Sequence, residues 1–204
     1  MFTRDDVNIV RKERCYDGFF KLNRYTLQHR LFSGELSGTF TRELFERGHA
    51  AAIMLYDPKQ DLVVMIEQFR IGAYAADMGP WLYEVVAGVN DADESMEDVV
   101  RREASEEAGV QVTSVKFITR YLVSPGGTSE TISLYLGLVD ASDASGVHGL
   151  ASENEDIKVH VLPFSEVLKM TEKGEICNST AIIAVYYLAL HRQEYWQQSD
   201  VECS

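Results

Sequence analysis

Two hydrophobic periodicities alternate along this chain, and their order outlines its elements. Residues 7–47 carry short aromatic-rich runs of partly alternating polarity: Phe19–Leu27 (FFKLNRYTL), a turn at Ser33-Gly34, and a return from Leu36 to Phe45. Alternation of period two puts one face of each run against a core, so this part reads as three antiparallel strands. So small a meander buries little surface alone and must pack on the rest of the chain or on a partner subunit. Next, an apolar run at 49–56 (HAAAIMLY), a polar turn at Asp57–Asp61 and a second run from Leu62 to Phe69 predict a hairpin. Trp81–Ala87 reads as one further strand, ending at Gly88.

The period then changes to 3.6. Met96, Val99, Val100, Ala104 and Ala108 line one face of a helix, Ser95 and Asp98 have capping-box spacing, and Gly109 suits the C-cap. Strands follow near 112–123, 131–139 and 157–162. A short helix over Ser165–Lys173 stops at Gly174. A last helix, capped by Asn178-Ser179-Thr180, runs to about Gln197. The loop from Asp140 to Asp156 is long and rich in Ser, Gly and Ala; such loops inside compact domains are usually functional or disordered.

Charge divides the chain. The net charge is −13 over 204 residues, yet residues 1–47 hold nine Lys/Arg against seven Asp/Glu, so all of the excess acid lies beyond them. Residues 1–47 are therefore read as a separate unit and residues 48–204 as the main domain. The acidic balance excludes a nucleic-acid binder, which needs a basic face. It leaves room for a small anionic substrate, because a divalent metal and a few arginines can supply local positive charge. Cys15, Cys177 and Cys203 are odd in number and far apart, with no CxxC, which suits reduced thiols in a cytoplasmic protein. The opening MFTRDDVN does not read as a signal peptide, and the longest apolar run, Ala181–Leu190, is too short for a membrane span and reads as a buried helix.

The candidate chemistry lies between Asp91 and Glu107, where eight acidic residues meet two basic ones. At about 100° per residue, Glu103, Glu106 and Glu107 converge on one side of a helix, where like charges at this spacing repel. A solvated helix face would alternate its acids with lysines; this one does not. Gly88 stands at the strand-to-loop junction, where bare backbone can approach an ion. Arg102 lies among the acids. Carboxylate oxygens in this number suit Mg²⁺ or Mn²⁺, with substrate phosphates completing the shell. The histidines (His29, His49, His148, His160, His191) show no metal spacing, and no Ser or Cys sits in a nucleophile elbow.

The stretch from Gly88 through Glu94 and Arg102-Glu103-Ala104-Ser105-Glu106-Glu107-Ala108-Gly109-Val110 resembles the Nudix box, GX5EX7REUXEEXGU. Ala104 is the one departure, small where a bulky aliphatic is expected. The resemblance implies an α/β/α sandwich with a mixed sheet, plus an N-terminal antiparallel dimerisation sheet, and a hydrolase of nucleoside diphosphates linked to another group. It implies that Glu103 and Glu107 bind Mg²⁺ (Mn²⁺ as a substitute) with the Ala87 carbonyl, that Glu106 shares or orients that shell, and that Arg102 and Glu94 hold the glutamates.

The Ser124-Pro125-Gly126-Gly127-Thr128-Ser129-Glu130 loop, with Pro125 fifteen residues past Val110, resembles the branch of that superfamily that cleaves ADP-ribose. That branch implies a homodimer whose N-terminal sheets help build the partner's site. Phe19 and Phe20 would flank adenine. Arg42, Glu43 and Arg47 would reach substrate, some from the partner, and Arg70, at the end of the Leu62–Arg70 strand, would contact phosphate or the adenine edge. Val89 is expected beside the substrate, and Ser124, Pro125, Gly126 and Glu130 around the terminal ribose. Glu155 would complete a metal shell and Glu153 would deprotonate the attacking water, a task that metal eases by lowering the water's pKa. Another nucleoside diphosphate sugar such as GDP-mannose, a dinucleotide, or a non-catalytic ADP-ribose sensor are the alternatives.

Overall fold

The N-terminal alternation folds into β1 (Val7–Asp17), β2 (Lys21–His29) and β3 (Phe40–Glu46), an antiparallel sheet in that order. The computed structural model describes residues 1–90, 94–150, 152 and 154–199. The first of its two units comprises residues 1–49 and 122–131. Phe19 and Phe20 do not belong to β2 as the run of aromatics suggests. They occupy the β1–β2 turn, closed by the Gly18 N–H donating to the Phe20 carbonyl at 3.2 Å. The Ser33-Gly34 turn forms as expected, with Gly34 at φ +91°, a left-handed geometry open to glycine. The 122–131 loop joins β3 through a parallel bridge of Phe45 to Thr128, the Phe45 N–H donating to the Gly127 carbonyl at 2.8 Å.

The second unit comprises residues 50–121 and those from 132 onward. In chain order it contains β4 (Ala50–Asp57), β5 (Leu62–Phe69), α1 (Ile71–Ala75), β6 (Trp81–Glu84), β7 (Val86–Val89), α2 (Met96–Ala108), β8 (Ser114–Leu122) and β9 (Thr131–Leu138). Then follow β10 (Val147–His148), β11 (Ile157–Pro163), α3 (Phe164–Glu172), α4 (Ser179–His191) and α5 (Gln193–Ser199). The sheet runs β10-β11-β5-β4-β9-β8, with β6 beside β5 and β7 beside β4. β4 and β9 are parallel while β4 and β5 are antiparallel, so the sheet is mixed.

β4 is apolar throughout because both its faces are covered. Ala51, Ile53 and Leu55, with Val64 and Ile66 of β5, pack on Val99, Val100, Ala104 and Ala108 of α2. Tyr56, of opposite parity, turns to the other layer: its hydroxyl donates to Asp61 at 2.9 Å and accepts from Trp196 of α5 at 2.7 Å. Ala181, Ala184, Val185 and Leu188 of α4 are buried on that side. Helices on both faces make the α/β/α sandwich. Ala104, the small residue of the motif, is wholly buried against the sheet.

Further readings change. The Trp81–Ala87 run is two strands, because the chain leaves β5 after Glu84 and joins β4 from Val86, with Val85 between. The last helix breaks at Arg192, whose guanidinium lies 3.0 Å from Asp61 and over the rings of Phe164 and Trp196. The Ala181–Leu190 run is only half buried, since Tyr186 and Leu190 face solvent. The long loop holds a short strand, β10, paired with β11. Among the described residues no helix is long and apolar enough to cross a membrane.

Candidate active site

The site begins with the start and stop signals of α2. Ser95 accepts the Asp98 N–H at 3.2 Å, and Gly109 at φ +67° ends the helix. With both ends set, the 3.6 period carries Glu103, Glu106 and Glu107 to one side. Arg102 gathers most of this charge. Its Nε and Nη2 donate to the two oxygens of Glu94 at 3.2 and 3.1 Å, and its Nη1 donates to Glu103 at 2.8 Å and Glu106 at 3.0 Å. Bonding to Glu94, chiefly, with the charge of Glu103, holds the Arg102 pKa above its already high ordinary value.

Glu107 is handled differently. It is 3% exposed and accepts one hydrogen bond, from the Ala87 N–H at 3.2 Å. Burial pushes its pKa up to about 8; the Ala87 N–H opposes this, the charges of Glu103 and Glu155 add to it, and Arg70 pulls it down. Glu103 is raised too, by burial against the pull of Arg102, with Glu106 and Glu155 adding to the rise. Two neighbouring carboxylates that resist ionisation mark a site short of positive charge.

Among the described residues no three acidic, His or Cys side chains converge on one ligating point, and Glu153 lies outside those residues. The fit to a hard divalent cation rests on other features. A Cβ at Gly88 would collide with the Glu103 side chain, so glycine is what lets that carboxylate lie directly against β7. The donors available at that corner, carboxylates and backbone carbonyls, are all oxygen. Glu155 is half buried, and its carboxylate accepts the Leu150 N–H at 3.3 Å while its own N–H donates to the Leu150 carbonyl at 3.3 Å.

Arg70 is not part of β5, as the sequence suggested. It caps α1, and its Nε donates to Glu84 Oε2 at 2.8 Å while Nη2 lies 2.7 Å from the same oxygen in an ion pair. Glu84 has no motif around it and escaped the sequence reading. Val89, the last residue of β7, is exposed.

The first unit assembles a different cluster. The Arg47 guanidinium lies over the Phe20 ring, 5.2 Å from its centroid, and 3.4 Å from Glu130, which is only 7% exposed. Phe20 packs edge-on to both Phe19 and Phe45. Phe19 itself is 92% exposed. Arg42 and Glu43 lie outward on β3, Arg42 over the Phe40 ring and Glu43 3.0 Å from Arg24. Ser124 begins a tight turn, its carbonyl accepting the N–H groups of Gly127 and Thr128, with exposed Pro125 and Gly126 between.

Residues 46–179 match the NUDIX domain model. The chain belongs to the NUDIX family. An ADP-ribose pyrophosphatase of Escherichia coli (strain K12) is 51% identical over 192 residues, 94% of this chain and 92% of that protein. An ADP-ribose pyrophosphatase of Haemophilus influenzae is 43% identical over 204 residues, 97% of this chain and 94% of the relative. A GDP-mannose pyrophosphatase of Escherichia coli is 34% identical over 185 residues, 90% and 95% of the two chains. The crystal structure of an ADP compounds hydrolase superposes with a TM-score of 0.68 at 16% identity, covering 96% of each chain, a likeness of fold.

Proposed function

We propose that this chain is a Mg²⁺-dependent pyrophosphatase that hydrolyses ADP-ribose to AMP and ribose 5-phosphate. The observation that carries the reading is the corner of β7 and α2, where Arg102 holds three glutamates and Glu107 is buried against Ala87. The two relatives above 40% identity, named for that activity, support the choice of substrate.

Mg²⁺ (or Mn²⁺) bound there would neutralise the diphosphate, activate the attacking water and stabilise the leaving oxygen. The chain's own residues do the rest. Glu103, Glu107, Glu155 and the Ala87 carbonyl would hold the cation, and Glu106 would orient that shell through Arg102. Glu153 would accept the proton of the water as its oxygen bonds to phosphorus and the bridging P–O bond breaks. Arg70 would meet the diphosphate, and Val89 would border the substrate. Phe19 and Phe20 would flank the adenine. Arg42, Glu43 and Arg47 would fix the nucleotide, and Ser124, Pro125, Gly126 and Glu130 the terminal ribose.

The working molecule in this reading is a cytoplasmic homodimer with shared sites. Its support is β1, an eleven-residue strand paired with β2 alone among the named strands and exposing Val7, Ile9, Val10 and Tyr16. Long exposed edges of this kind invite a second chain. The relatives named for GDP-mannose favour a second reading, in which the base and sugar differ and the chemistry is kept.

Product analysis tests these readings. The purified protein with Mg²⁺ should release AMP and ribose 5-phosphate from ADP-ribose faster than it cleaves GDP-mannose or NADH. Faster cleavage of GDP-mannose would favour the second reading. Tight ADP-ribose binding without turnover would make the protein a sensor. A monomeric sedimentation profile with full activity would remove the shared site.

A further inference from the structure

Glu84 stands where the alternation of β6 matters. It pairs with Ile66 of β5, and directly opposed residues of antiparallel strands point to the same face. Ile66 packs in the α2 layer, so Glu84 shares the face of the acidic helix, while its neighbour Tyr83 turns to the opposite layer beside His160. An additional carboxylate on that face would repel an anionic substrate. Instead its side chain is 14% exposed and one of its oxygens, Oε2, accepts the Arg70 Nε–H and pairs with the charge of Nη2 at 2.7 Å. Arg70 needs such a holder. It sits at the junction of β5 and α1 with a side chain 43% exposed, and nothing in a five-residue helix constrains a long flexible arm. The contact uses one edge of the guanidinium and, among the described residues, leaves Nη1 for an anionic oxygen.

We propose that Glu84 is a positioning residue that fixes the Arg70 guanidinium for the diphosphate of the substrate. This rests on the substrate reading above, in which Arg70 meets the diphosphate. The pairing turns a mobile cation into an oriented one and neutralises an acid that would otherwise oppose phosphate. Its effect is felt in substrate capture and only through Arg70.

The test is a set of four enzymes: wild type, Glu84→Gln, Arg70→Ala and the double variant, with Glu84→Asp as a milder retraction of the same carboxylate. Glu84→Gln should raise KM by about three- to tenfold with kcat within about twofold and the Mg²⁺ activation constant unchanged. In the Arg70→Ala background the same substitution should add nothing, and Glu84→Asp should fall between Glu84→Gln and wild type. An equal further loss in the Arg70→Ala background, a shifted Mg²⁺ constant or an unchanged KM would each overturn the proposal. If wild type cleaves another diphosphate and spares ADP-ribose, the substrate reading fails, and the same four enzymes decide the role of Glu84 on the diphosphate that is cleaved.

Discussion

The acidic corner of the second unit and the Arg47 cluster of the first handle charge in opposite ways. At the corner, Arg102 is shared by Glu94, Glu103 and Glu106, whereas among the described residues Glu107 has a backbone N–H and the electrostatic pull of Arg70. In the cluster, one arginine meets one buried glutamate and an aromatic face. The first arrangement has unspent negative charge and suits a cation. The second is close to neutral and suits a flat, polar-edged ligand. The two also differ in reach along the chain: the corner is assembled by 23 consecutive residues, the cluster by positions as distant as 20, 47 and 130.

The contrast can be broken at several points. Removing the unspent charge should have the largest effect. Glu107→Gln should lower turnover by about a thousandfold or more while leaving circular dichroism unchanged; near-normal turnover would take Glu107 out of the cation's shell. Gly88→Ala comes next. Its methyl must displace the Glu103 carboxylate, so activity should drop by about tenfold to a hundredfold, with a matching rise in the Mg²⁺ needed for half-activation. An unchanged Mg²⁺ requirement would show that the corner opens freely. Arg47→Ala should act on capture instead, raising KM about tenfold with little change in kcat. If it altered the Mg²⁺ requirement as well, the division of labour between the units would be wrong.

The smallest effect is one of stability against pH. Glu107 has a folded pKa near 8, above its ordinary value of 4.5, so the folded protein holds this proton more tightly than the unfolded chain. Its contribution is complete below the unfolded pKa and is lost as pH rises through the folded one. The melting temperature of metal-free protein should therefore fall between pH 4.5 and 8, and Glu107→Gln should flatten that slope. Added Mg²⁺ should raise the melting temperature more at pH 8 than at pH 5, where protons compete for the same oxygens. A slope unchanged by the substitution would mean that another group titrates.

What was legible in the sequence followed from locality. The caps of α2 at Ser95 and Gly109, the buried face through Val99, Val100 and Ala104, and the convergence of Glu103, Glu106 and Glu107 each depend on residues within a few turns of one another. The 3.6 period alone brings such residues together. The doubly covered hairpin β4–β5 was legible for the same reason, its unbroken apolar runs being what two covering layers require. Two of the misreadings occur where a strand changes partner or a helix meets a distant side chain. The break at Val85 exists because β6 and β7 pair with different neighbours, which no local pattern records. The break at Arg192 coincides with Asp61, more than a hundred residues earlier.

The sequence by itself determined that a motif of acids lies on one helix face, that Gly88 precedes it, and that the excess acid lies beyond residue 47. Only the tertiary structure decided that Glu107 is sealed from water while Glu106 is not, that the 122–131 loop belongs with the N-terminal sheet, and that Glu84 meets Arg70. Burial and long-range pairing depend on which surfaces close over which, and sheet order sets that. Helical periodicity acts over one or two turns, whereas desolvation and ion pairing are properties of the assembled layers.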